Sequence, residues 1–212
     1  MIAADRILEG AYYSMEQAGH LVSDAALLYE RERWASSVVL AVFSMEEMGK
    51  SEELFRRALA AQTGGPQVRN QIMDGLSDHR RKLSFGRGPL TISAAVWLGK
   101  DPPEENTPEM AEIDRQLDEN FRLAQQNAPL QDHQARMRAL YVDLVGDGDW
   151  VRPSETSPDD AYLVVSAANI EYGERRRKFI RPTEPFAVQV LRDRTGFLPD
   201  LPEPRPIHWP RR

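Results

Sequence analysis

The sequence predicts an all-α protein, folded as an antiparallel bundle of long helices. Three observations carry that prediction. Leu8, Tyr12, Met15, Gly19, Val22, Ala26 and Tyr29 recur at alternating spacings of four and three, and Ile7, Ala11, Ser14, Ala18, Leu21, Ala25 and Leu28 form a second stripe beside them. Two adjacent stripes make an apolar face wider than a coiled-coil seam, as a bundle helix requires. The pattern resumes through Trp34, Val38, Ala41, Met45, Met48, Phe55 and Leu59, and neither stretch contains a proline. No strand pattern of useful length appears, and no repeat with a period of roughly 20–50 residues.

Taken in order, the second helix should stop at Thr63-Gly64-Gly65-Pro66, a strong breaker. A third helix is expected from Gln67 to Phe85, with Val68, Ile72, Leu76, His79 and Leu83 on one side, ended by Gly86-Arg87-Gly88-Pro89. A short apolar helix (Leu90 to Leu98), a polar loop (Gly99 to Pro108) and an exposed helix (Glu109 to Asn127) should follow. Leu130 to Leu144 reads as another helix, running into a turn at Gly146-Asp147-Gly148-Asp149-Trp150. The last long helix announces its start: Ser157 can cap it, Pro158 suits its first position, and Asp159 and Asp160 complement its amino-terminal dipole. Ala161, Val164, Val165, Ala168 and Tyr172 give it a core face, and Arg175 to Lys178 put positive charge at its end. Prolines 182, 185, 199, 202, 204, 206 and 210 then change the composition. One short helix near Phe186 to Leu191 and an extended tail are expected there. The organisation predicted is a helical domain over residues 1–181 and a Pro-rich C-terminal extension over 182–212.

Cysteine is absent, which removes disulfides, thiol nucleophiles and thiolate metal sites together. The longest apolar stretch, Val38 to Phe43, is far short of the ~20 residues that span a bilayer. The N-terminus lacks the basic head and apolar run of a secretory signal. The expectation is a cytoplasmic protein with no membrane partner, metal or cofactor. A net charge of −6 and a pI near 5.3 argue against a general electrostatic grip on nucleic acid. They leave room for a local basic cleft, and cationic residues cluster at Arg80-Arg81-Lys82 and Arg175-Arg176-Arg177-Lys178.

Three stretches could carry chemistry. In Ser44-Met45-Glu46-Glu47-Met48-Gly49-Lys50-Ser51, Glu46 and Lys50 stand at i,i+4 and can pair. Val39 and Val42, two turns and one turn before, carry Glu46 towards the interior or a helix–helix groove. Gly49 in mid-helix costs about 1 kcal/mol relative to alanine and suggests close packing there. A surface salt bridge is the plainer alternative. In Asp78-His79-Arg80-Arg81-Lys82-Leu83, His79 falls on the apolar stripe with Lys82 one turn on. His79 reads as a general acid or base, or as a core histidine bonded to a carboxylate or carbonyl. In Arg136-Met137-Arg138-Ala139-Leu140-Tyr141-Val142-Asp143-Leu144, Arg138 and Tyr141 are one turn apart and Asp143 lies near the expected helix end. A buried tyrosine and a capping aspartate are the ordinary reading of that pair. There is no Glu-x-x-His of a di-iron bundle, no phosphate-binding glycine loop, no His-Glu-x-x-His and no Gly-x-Ser-x-Gly.

These pieces form an ordered series. Gly10-Ala11-Tyr12-Tyr13-Ser14-Met15-Glu16-Gln17-Ala18 leads through Leu21, Asp24-Ala25 and Leu27-Leu28 to Ala35-Ser36-Ser37 and Leu40-Ala41. Glu46-Glu47-x-Gly49-Lys50, His79-x-x-Lys82-Leu83, Leu140-Tyr141-Val142-Asp143 and the Trp150 and Pro153 pair follow. Over roughly residues 8 to 175 the series resembles the AbiV family of abortive-infection proteins, in the HEPN superfamily. The resemblance implies a HEPN-like helical bundle, a role in stopping phage propagation by arresting the infected cell, and a homodimer. In many HEPN proteins a dimeric cleft cuts RNA without metal, through an Arg-x(4–6)-His motif. This chain departs from that motif: the nearest upstream arginines are Arg6 for His20, Arg69 for His79, Arg122 for His133 and Arg205 for His208.

Two principal readings follow. One is an endoribonuclease acting on tRNA or mRNA, with His79, Arg138 and Glu46 as catalytic candidates drawn from separate helices. Glu47, Lys50, Lys82, Tyr141 and Asp143 would support them. The other is a non-catalytic toxin or regulator that binds a phage protein or a component of translation. A blander third is a buried polar network of Glu46–Lys50, His79 and Tyr141 that serves only the fold.

Overall fold

The computed structural model describes residues 2–64, 76, 78, 79, 82, 83, 133–145, 149–193, 201–205, 207 and 208, with backbone alone for 143–145 and 149–150. Helix α1 spans Ala4–Glu30 and α2 spans Trp34–Gly64. The turn between them is closed by amides of Glu32 and Arg33, which donate to Tyr29 and Leu28 carbonyls. Glu32 there has φ 59°, the left-handed conformation in which helices commonly end. Ser44 donates to the Ala18 carbonyl and Ser51 to that of Ala11, each at 2.8 Å. The bonds advance along α2 while retreating along α1, so the pair is antiparallel, as the stripes predict.

Both stripes of α1 face inward: Leu8, Tyr12, Met15, Val22 and Ala26 are buried, as are Ile7, Ala11, Ala18 and Ala25. On α2, Val38, Ala41, Met45 and Met48 join them, while Phe55 and Leu59 are half-buried. Helix α3, Pro158–Ile180, crosses both and completes the core with Ala161, Val165, Ala168 and Tyr172. Its start matches the expectation, since the Ser157 hydroxyl accepts from the Asp160 amide at 3.0 Å. Helix α4 runs from Pro185 to Asp193 and buries Ala187 and Val190.

The all-α expectation holds, with one local correction. The described part of the helix expected over Leu130 to Leu144 is helical at 133–140 and then gives way to a two-stranded antiparallel ribbon. Strand β1, Asp143–Val145, pairs with β2, Asp149–Val151, with Leu144 opposite Trp150. Tyr141, Val142 and Val145 before Gly146-Asp147-Gly148 are residues that favour strands before a turn, and that local preference overrides the helical period. Of the helix expected at Gln67 to Phe85, only Leu76, Asp78, His79, Lys82 and Leu83 are described, and Leu76 and Leu83 are buried. The expected elements from Leu90 to Asn127 lie outside the described residues.

The proline-rich end is tied to the bundle. The Tyr172 hydroxyl donates to the Pro202 carbonyl at 2.9 Å, Arg176 Nε donates to that of Leu201 at 2.8 Å, and Asn169 donates to that of Arg205. Leu201 is buried, and Gly19 on α1 lies directly under the Tyr172 hydroxyl and the Pro202 ring, where a Cβ would collide.

Tyr12 links α1 to the end of α3. Its hydroxyl donates to the Phe179 carbonyl at 3.0 Å, and its ring meets the Phe179 ring edge-on at 4.8 Å. That carbonyl belongs to the last turn of α3, where acceptors lack helical partners. Burial pushes the Tyr12 hydroxyl up to about 12 and also raises that of Tyr29. A raised tyrosine favours the folded state below the ordinary value near 10, and that contribution is lost as pH climbs towards 12. Tyr12→Phe should therefore cost about 1 kcal/mol at neutral pH, with its gap to the wild type narrowing through the alkaline range. Urea unfolding at a series of pH values checks this, and a gap that stays constant or widens contradicts it.

Candidate functional site

The site is built around one carboxylate. Glu46 lies midway along α2, on the inner side that Val39 and Val42 define, and is 3% exposed. A carboxylate there needs compensating partners from other segments. Nδ1 of His79 lies 2.7 Å from Glu46 Oε2, Lys82 Nζ lies 3.4 Å from the same oxygen, and Arg136 Nη1 donates to Oε1 at 3.0 Å. One carboxylate thus gathers two fixed cations and an imidazole from two separated stretches of chain.

The second layer extends from Arg136, which is itself 7% exposed. Its Nη2 lies 3.2 Å from Nδ1 of His133, one helical turn earlier, and its guanidinium stands 5.5 Å from the centre of the Phe43 ring. Phe43 precedes Glu46 by one turn of α2, so one edge of that helix supplies both the carboxylate and the aromatic face. Arg136 Nη1 also approaches His79 Nδ1 to 3.3 Å. A nitrogen that donates to Glu46 cannot also accept from arginine. The shorter contact assigns the Nδ1 proton to the Glu46 bond, leaving Nε2 as the nitrogen free of that bond. The His79 side chain is 48% exposed, so the imidazole forms the open side of an otherwise buried cluster.

The sequence candidates divide sharply. Glu46, His79 and Lys82 converge. Lys50 does not join them: its ammonium pairs with Glu47 at 3.1 Å, one turn away, in place of the expected Glu46. Arg138 is exposed on the other flank of the 133–140 segment, outside the cluster, and Arg136 holds the position proposed for it. Tyr141 is exposed rather than buried, and Asp143 belongs to β1 rather than to a helix end. Sequence reasoning missed Arg136 and His133 as site residues. The Arg-x(4–6)-His search looks only for arginines that precede a histidine, whereas here the arginine follows His133 by three and meets His79 across the fold. The cationic run at the end of α3 is also spoken for: Arg175 pairs with Glu52 and Glu171, Arg176 with Glu203 and Arg177 with Glu174. Among the described residues, no group of three or more histidines or carboxylates is placed to hold a metal ion, and no helix is long and apolar enough to cross a membrane.

A family model described as AbiV, of the HEPN class, matches residues 6–170. The chain belongs to the AbiV family. Glu46, His79, Lys82, His133 and Arg136 all fall within the matched span, so the cluster lies in the part of the chain that defines an AbiV protein. Membership agrees with the all-α bundle and points to abortive infection as the biological setting. No curated protein matches the chain. No solved structure matches it either.

The cluster sets a clear stability hierarchy. Glu46→Ala strands Arg136 and Lys82 beside a missing charge and should cost about 3–5 kcal/mol. Lys50→Ala, which removes a half-exposed pair, should cost no more than about 1 kcal/mol. Chemical denaturation of both variants tests the order, and equal losses would mean that Glu46 is not the hub.

Proposed function

We propose that this AbiV protein arrests phage-infected cells by cutting RNA at the Glu46 cluster, with His79 as the general base. The observation that carries the reading is an imidazole fixed through Nδ1 by a buried carboxylate, half exposed, and in contact with a buried guanidinium. Glu46 sets the tautomer and orientation of His79, which leaves Nε2 to take a proton. Its single negative charge stands against Arg136 and Lys82, so the cluster carries excess positive charge inside an acidic protein and suits a phosphodiester.

In this scheme Nε2 of His79 accepts the proton of an RNA 2′-hydroxyl, and the oxygen attacks the adjacent phosphorus. The bond to the 5′-oxygen breaks, the leaving oxygen takes a proton from a solvent water, and the hydroxide so formed recovers the proton held by His79. The products carry a 2′,3′-cyclic phosphate and a 5′-hydroxyl. Arg136 and Lys82 offset the charge that builds on the phosphorane oxygens. A homodimer, as the family resemblance implies, would shelter this open side. Met137, Leu140, Tyr141 and Val142 are exposed beside the segment that bears Arg136, and they offer the apolar surface for a second copy.

One observation favours a second reading. Arg136 is nearly buried and both of its Nη atoms are engaged, which suits a fixed structural network. The protein would then act without catalysis, presenting the same apolar residues to a phage protein or a component of translation.

Purified protein incubated with tRNA or total RNA in chelator separates the two. The wild type should leave 2′,3′-cyclic phosphate ends. His79→Ala should cut at least about 100-fold more slowly, in the range of general-base removal. Arg177→Ala, a surface change near the end of α3 and far in sequence from the cluster residues, should match the wild type. Equal cutting by the wild type and His79→Ala, or no cutting by either, overturns the ribonuclease reading.

A further inference from the structure

The 133–140 segment has two working flanks. His133 and Arg136 serve the Glu46 cluster, while Ala135 and Arg138 face a separate pocket of about 420 Å³, within the ~300–1,000 Å³ usual for small-molecule sites. Its walls are aliphatic: Val38 from α2, Val151 from β2, and Leu163 and Val164 from α3. Leu163 is well exposed at the rim, a position where a leucine gains nothing from burial within its own chain.

The charged groups are unequal. Arg152 and Glu155 are committed to each other, with Arg152 Nε donating to Glu155 at 2.9 Å. Those bonds hold the Glu155 carboxyl below its ordinary range. Asp160 accepts from the Ser157 hydroxyl at 2.7 Å and lies in the first turn of α3, where the helix dipole favours a carboxylate. Arg138 makes no ion pair among the described residues. A guanidinium with open donors at the mouth of an aliphatic pocket calls for a ligand with an anionic head and an apolar chain.

We propose that this pocket binds an aliphatic chain with an anionic head, carboxylate or phosphate, with Arg138 holding the head group and Val38, Leu163 and Val164 enclosing the chain. The assignment is independent of RNA cleavage and places Arg138, a catalytic candidate from the sequence, in ligand recognition instead.

Isothermal titration of the full chain with decanoate, decyl phosphate and decanol tests it. One equivalent of decanoate should bind, and decanol should bind more weakly. Arg138→Gln should weaken decanoate at least about tenfold, the worth of a charge-assisted bond, and should leave decanol unchanged. Arg138→Lys should recover part of the loss, and Arg177→Gln should bind as the wild type does. Tighter binding of decyl phosphate than of decanoate would identify a phosphate head within the same class. No binding of either anion, equal binding by Arg138→Gln, or an equal loss in Arg177→Gln overturns the proposal. Circular dichroism melts of each variant confirm that the fold persists.

Discussion

The Glu46 carboxylate is the constraint around which the functional half of this molecule is arranged. A buried anion is costly unless other segments bring charge and hydrogen bonds to it. His79, Lys82 and Arg136 are 33, 36 and 90 residues downstream of Glu46, and they are held together because His79 and Lys82 meet one oxygen of its carboxylate and Arg136 meets the other. Apolar stripes can slide past one another at modest cost, but a carboxylate with fixed partners cannot. The cluster therefore sets the register of His79, Lys82 and the 133–140 segment on α2, much as Ser44 and Ser51 set the register of α1.

That arrangement also reconciles an acidic chain with the phosphate-directed chemistry proposed for it. Net charge governs long-range attraction, which salt screens within roughly 10 Å. What would act on a bound phosphodiester is the local balance, and here one carboxylate faces arginine, lysine and an imidazole. The arginines at the end of α3 do the opposite. Each is neutralised by a glutamate, and Arg176 fastens the residues around Leu201 to the bundle. A run of cations in sequence is therefore a poor guide to a basic surface, and the isolated Arg136 is the more telling residue.

How far the sequence could be read follows from what periodicity encodes. It specifies which face of a helix is apolar, so both stripes of α1, the inward turn of Glu46 and the Ser157 cap were legible. It does not specify which neighbour a polar residue meets. Glu46 and Lys50 satisfy the spacing of an ion pair, yet the pull of Arg136 and His79 takes Glu46 inward and leaves Lys50 to Glu47. Arg136 and Arg138 differ by two positions, about 200° around a helix. Choosing between them requires knowing which flank faces α2, and no local pattern carries that. The β1–β2 ribbon was missed for a different reason: strands of three residues are too short to show alternation, although the glycines between them mark the turn.

The same 200° gives the segment its functional interest. Its narrow helix presents Arg136 to a closed, carboxylate-bound environment and Arg138 to an open, aliphatic one, with Ala135 and Ala139 small enough to let the neighbours close in. Val38 and Glu46 stand on the same helix, two turns apart, so α2 borders both environments as well. Any ligand that fills the pocket must therefore press on the two elements that also hold the Glu46 cluster. Packed interiors transmit small displacements because they contain little free volume to absorb them. For the arrest of infected cells proposed above, such an arrangement would let the Glu46 cluster be assembled yet held out of true until the pocket is occupied or vacated.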